Sequence, residues 1–274
     1  MNFKTFIFFF LFPFSLAQAQ SLCHADECPV TEEVFDQTMD RFRNLYPRVR
    51  FITPWDDDRP QAAASFRRLI VSGGFARKND INVGGLITVT CHEVGHALFS
   101  LNEGEADDFA TRECMPFYYE GLNNLQVAQN FKQISPEAMS LCDNEFNPAA
   151  SAICQRIFVG AINAAQADAN RCVSRMESLI DQVTNSNQQF FRIQEFYYRC
   201  LRTIVSIDSP SLTRTRLLSG ARETLNRLLT PLDFNEKDQR IVERAYSAHN
   251  SPLCRLQTLI DGVFAPQPPP CWFR

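Results

Sequence analysis

Beyond its first residues the chain has no apolar run long enough to cross a bilayer, which takes about 20 residues. It has no basic stripe either. Its 27 Lys and Arg and 31 Asp and Glu are spread over 274 residues, for a formal charge of −4. That excludes the electrostatic footprint of a nucleic-acid binder. Glycine is scarce, at 10 residues, and no glycine-rich loop of the phosphate-cradling kind is present. No C-x-x-C spacing argues for dithiol redox chemistry or a thiolate zinc site. No Ser–His pairing is identifiable. Histidine is rare too, with 4 residues in the whole chain.

Cysteine, by contrast, is plentiful. Ten are present, none within the first 19 residues. Those first residues read as a secretory leader: Lys4, the short apolar run "FIFFFLFPFSL", then an A-x-A site at Ala17–Ala19. Residues 1–19 are therefore expected to be removed, with export to the periplasm or the medium. A lipid anchor on Cys23 is disfavoured, because "QSL" before it lacks the small residue normally cut there. An even cysteine count in an exported chain reads as disulfides. Each contributes roughly 2–4 kcal/mol on the chain-entropy account. Their pairing stays open, including whether Cys91 and Cys114 join each other or distant partners. Apolar content of 45% and charged content of 21% are ordinary for a globular protein. The length suits one domain, or one domain with a helical extension.

Residues 31–46, "TEEVFDQTMDRFRNLY", place Phe35, Met39, Phe42 and Tyr46 on one helical stripe, with Thr31 as N-cap and Pro47 as stop. "VRFITPWDDDRP" reads as an extended segment whose acids lie in a solvated loop. "LIVSGGF" reads as a strand, with Gly73–Gly74 marking a bulge or a close backbone approach. A helix is expected from about Gly85 to Leu101, and "EADDFATREC" opens the next, with Phe109 and Ala110 inward. From Tyr118 onward the pattern is nearly all helical. Ser135 and Pro136 begin one helix. "NPAASAICQRIFVGAINAAQADANR", "QQFFRIQEFYYRCLRTIV", "SLTRTRLLSGARETLNRLL" and "NEKDQRIVERAYSAH" follow. The tail "PQPPPCWFR" is rigid and expected to be tied down by Cys271.

Residues 91–107, "CHEVGHALFSLNEGEAD", carry the chemistry. His92 and His96 are i and i+4, so one helical face presents both imidazoles to a single metal ion. Glu93 then sits beside the vacant coordination position as general base. Zinc with an open position needs a third protein ligand. Candidates are Glu103, Glu105, Asp107 and Asp108. Glu103 and Asp107 lie one helical turn apart, the arrangement in which the glutamate binds zinc and the aspartate orients a ligand histidine from behind. Glu103 is favoured and Glu105 is the runner-up. Tyr118, Tyr119 and His249 are possible oxyanion donors but read more simply as structural.

H-E-x-x-H followed by E-x-x-x-D resembles the gluzincin class of zinc peptidases, and the E-x-E-A-D form is especially like the membrane-associated HtpX-type peptidases. The stretch "GGFARKNDINVGGLITVTCHEVGH…NEGEADDFATREC", with "CRLQT" near the end, is also similar to a group of exported bacterial proteins of the pattern "GGLAR…CHE-GHH…NEGQAD-FAT-KC". In that group the position of Glu105 can be glutamine, which favours Glu103. The resemblance spans roughly residues 69–116. Two departures stand out: only six residues separate His96 from Glu103, and Ala97 replaces the extra histidine. The membrane helices of the HtpX-type proteins have no counterpart here.

The residue patterns predict a mainly α fold with a small β-sheet (α+β), and the resemblance implies that its metal-site part is zincin-like. Residues 20–116 would form a zincin-like metal-site region and residues 117–274 a disulfide-stapled helical region packed against it. It also implies a zinc metallopeptidase acting on peptide or protein substrates through a zinc-activated water, with His92, His96 and Glu103 on Zn2+, Glu93 as base and Asp107 behind. By the edge-strand habit of such enzymes "LIVSGGF" would pair with the substrate; an ordinary core strand is the equal alternative. The alternative is a disulfide-stabilised binding or scaffold protein with a structural or vestigial metal site. A closed site of that kind would need a fourth ligand such as Glu105 or Asp108.

Overall fold

Thr31 caps the first long helix as its sequence demands, its hydroxyl accepting from the Val34 amide at 3.3 Å. A computed structural model describes residues 25–78, 81–132, 134–182, 258–260 and 262–263. The expected leader lies outside these residues, as do the helices expected between 188 and 249 and the C-terminal tail. The described part is mainly α with one small sheet.

Helix α1 spans Glu32–Leu45, and buries Phe35, Met39 and Phe42 completely. Tyr46 closes it rather than joining the buried stripe. Arg41 then clamps α1 to the chain near Tyr118, donating to the carbonyls of Tyr118 (2.7 Å) and Glu120 (2.8 Å).

Three strands follow: β1 (Arg50–Ile52), β2 (Ala62–Ser65) and β3 (Arg68–Val71). Their order is β1-β3-β2, with β1 parallel and β2 antiparallel to β3. The expected strand in "LIVSGGF" is therefore central, and the edge beside it is β2. The glycine pair makes no bulge. It opens helix α2 (Gly73–Lys78), and it does mark a close backbone approach. A Cβ on Gly73 would lie 2.1 Å from the Trp55 carbonyl oxygen, and one on Gly74 2.3 Å from the Asp58 carbonyl carbon.

Helix α3 runs Val83–Phe99, two residues earlier at each end than its apolar pattern suggests, because Asn82 caps it through the Gly85 amide. It is buried along nearly its whole length, as a helix packed on all sides must be. Beyond it come α4 (Glu103–Phe109), a π-helical turn at Ala110–Cys114, α5 (Met115–Tyr119), α6 (Asn124–Ala128), α7 (Pro136–Glu145, with Ser135 as N-cap) and α8 (Pro148–Gln182). Helix α8 crosses α3 backbone to backbone. A Cβ on Gly160 would sit 2.5 Å from the Gly84 carbonyl oxygen and 2.5 Å from the Thr88 hydroxyl. Near this crossing Arg156 forks onto the buried Asp26 carboxylate at 2.6 and 2.8 Å.

Five cysteines are oxidised. Cys91 bridges Cys114 and Cys142 bridges Cys154, and Cys28 is also disulfide-bonded. This fits a chain outside the reducing cytoplasm. Among the described residues no helix is long and apolar enough to cross a membrane.

The crossing predicts that Gly160→Ala destabilises the oxidised protein by about 1–3 kcal/mol, the cost of overpacking a close contact. Urea unfolding measures it, and an unchanged midpoint would mean that α3 and α8 do not meet at this point.

Candidate metal centre

The site rests on how α3 ends. Ser100 follows the helix in the left-handed conformation (φ 53°), its amide still donating to the His96 carbonyl. This single reversal turns the chain at once. The Leu101 carbonyl comes back against His96, and Asn102 becomes the N-cap of α4. The Asn102 side chain accepts from the amides of Gly104 and Glu105, while the Glu105 carboxylate accepts from the Asn102 amide at 3.0 Å. That is a complete capping box. It gives Glu105 a structural task and leaves Glu103, the first residue of α4, aimed at the histidines.

Each imidazole is oriented from behind. His92 Nδ1 lies 2.6 Å from Asp107 Oδ1, and Asp107 is fully buried. His96 Nδ1 lies 2.7 Å from the Leu101 carbonyl oxygen. That carbonyl can only accept, and an ionised Asp107 likewise, so both Nδ1 atoms carry the proton. The two Nε2 lone pairs then face each other across 3.0 Å. Glu103 completes the group, with carboxylate oxygens 3.1 Å from His92 Nε2 and 3.5 Å from His96 Nε2. Facing lone pairs beside a carboxylate are stable only around positive charge. The same Glu103 carboxylate raises the His96 pKa above its ordinary value. Among the described residues His92, His96 and Glu103 form a group able to hold a metal ion, their ligand atoms all within 4.8 Å of one another.

The six-residue connection thus brings Glu103 to the histidines, and Asp107 stands behind His92 as its spacing suggests. Asp108 turns away, pairing with Arg112 one helical turn on. Cys91, next to His92, is bridged to Cys114, so a covalent bond joins the histidine helix to the turn that follows α4. Tyr119 is fully buried, and neither it nor Tyr118 borders the site. His249 lies outside the described residues.

The group opens into a cleft of about 480 Å³. Glu93, 9% exposed, lines it beside the histidines. Its far wall is β2, a feature not read from "AAAS" because alanine carries little strand preference. The Ser72 amide donates to the Gln61 carbonyl at 2.9 Å, and ladder bonds alternate along an antiparallel pair. Ala63 and Ser65 therefore bond to β3, while the amides and carbonyls of Ala62 and Ala64 point at an edge that no other strand pairs among the described residues. "LIVSGGF" is the sheet's middle strand, so the expected edge position belongs to β2.

No protein-family model, curated protein or solved structure matches the chain. The functional reading is carried by these residues alone.

Asp107→Asn is expected to weaken metal binding 10–100-fold, the usual effect of removing a histidine's hydrogen-bonded support. Competition against a fluorescent chelator reads this directly. Unchanged affinity would remove Asp107 from the site.

Proposed function

We propose that the protein is an exported zinc-dependent metallopeptidase. The observation that carries this reading is the convergence of His92 Nε2, His96 Nε2 and the Glu103 carboxylate on one point at the floor of an open cleft. Two imidazoles and one carboxylate suit zinc with a position left for solvent.

His92, His96 and Glu103 would hold the ion. Asp107 and the Leu101 carbonyl keep both imidazoles in the tautomer that offers Nε2. Bound zinc would bring the pKa of water toward neutrality and polarise a substrate carbonyl. Glu93 takes the proton of the attacking water and returns it to the leaving amine. The edge of β2, unpaired among the described residues, suits an extended peptide held by main-chain bonds to Ala62 and Ala64 without interference from long side chains. The leader expected at residues 1–19 and the oxidised cysteines favour a periplasmic or secreted setting.

A closed structural site has less support. It needs a fourth protein ligand, yet Glu105 serves the α4 cap and Asp108 pairs with Arg112.

Glu93→Gln should keep its zinc and lose about 10²–10⁴-fold in cleavage of a mixed peptide library followed by mass spectrometry. Cleavage at the unaltered rate would overturn the role of Glu93. Metal analysis of the purified variants should find Glu103→Ala without zinc and Glu105→Ala with it.

A further inference from the structure

The chain is acidic overall, yet the sheet gathers arginines that no described carboxylate neutralises. Arg50 on β1 and Arg68 on β3 are register partners. Their side chains therefore stand next to each other on one face. Leu69 and Val71 are the buried positions of β3, so this is the face turned away from the core. Arg67 forms the β2–β3 turn with Phe66, and its guanidinium lies 5.0 Å over the Phe66 ring. Arg50, Arg67 and Arg68 are all exposed, and Phe66 is 69% exposed while lining the metal cleft. Like charges directly opposite each other weaken a sheet.

The turn itself is costly. Arg67 is held at φ 54°, where glycine or asparagine would be the unstrained choice. Its backbone is fixed on both sides. The amide donates to the Ala97 carbonyl at 2.8 Å, and its carbonyl accepts from the Arg50 amide at 2.8 Å. Ala97 directly follows His96, so the arginine cluster hangs from the last turn of the histidine helix. From Arg67 at the hairpin turn, Arg68 and Arg50 follow across the end of the sheet, on the face turned away from the core.

From this we infer that the protein selects polypeptides carrying an acidic segment next to the stretch that lies along β2. Bound chain that passes Ser65, crosses Phe66 and turns over the end of the sheet meets Arg67, then Arg68 and Arg50. Carboxylates there relieve the mutual repulsion of the guanidiniums and form charge-assisted hydrogen bonds with them. Calling the ligand a substrate rests on the peptidase reading; the acidic preference itself does not.

The test compares two labelled peptides, one ending in a run of glutamates and its glutamine counterpart, by fluorescence anisotropy against the whole mature protein. The glutamate peptide should bind more tightly. Arg50→Gln with Arg68→Gln should weaken it by about tenfold, as expected for two exposed ion pairs. Arg67→Gly should weaken it too while leaving the melting temperature unchanged or higher, because glycine suits that turn. Equal binding of the two peptides would overturn the inference, as would indifference to the double substitution. So would binding to phosphatidylglycerol vesicles in place of the peptide, which would make the patch a membrane-docking surface. Tight binding of the glutamate peptide with no cleavage of any peptide would sink the peptidase reading and leave the acidic-segment surface standing.

Discussion

Two imidazole nitrogens held with their lone pairs face to face dominate the centre of this molecule. His92 and His96 can adopt that pose only because each Nδ1 is tied to an acceptor, Asp107 for one and the Leu101 carbonyl for the other. Both acceptors lie beyond the end of α3. The helix that bears the histidines is thus incomplete as a site until the next segment folds back on it. Much of the surrounding structure serves that return: the left-handed Ser100, the Asn102 cap, and the Cys91–Cys114 bridge.

The return is made in very few residues, and its economy has a physical basis. One left-handed residue reverses the chain, so no long loop has to be ordered. Asn102 starts the new helix immediately, which places Glu103 at its first position. Acids are favoured there by the helix dipole. The same dipole and the capping box account for Glu105 without any metal. Two neighbouring glutamates therefore do different work, decided by which way the first turn of α4 faces.

Much of this was legible in the sequence. The α1 stripe, the Thr31 and Ser135 caps and the histidine spacing each encode local geometry in residue type and period. One-turn spacing and the gluzincin-like pattern point to Glu103 and Asp107, the two acids that stand beside the histidines. The misreadings share a cause. Gly73–Gly74 was readable as a tight place but not as the start of α2, because its neighbour across the gap is the backbone at Trp55 and Asp58. The resemblance points to an edge strand just before the metal helix, at "LIVSGGF", whereas the edge is "AAAS", which owes its strand to pairing with β3 and not to propensity. The arginine cluster is invisible along the chain for the same reason. Arg50 and Arg68 become neighbours only through the parallel register of β1 and β3.

The central claim is that His92, His96 and Glu103 are built around a catalytic-type zinc ion. X-ray absorption on protein purified without chelators tests it most directly. The account predicts one zinc per chain, coordinated by two imidazole nitrogens with only oxygen besides. Protein free of metal, or a zinc shell containing sulfur or a third imidazole, would contradict it.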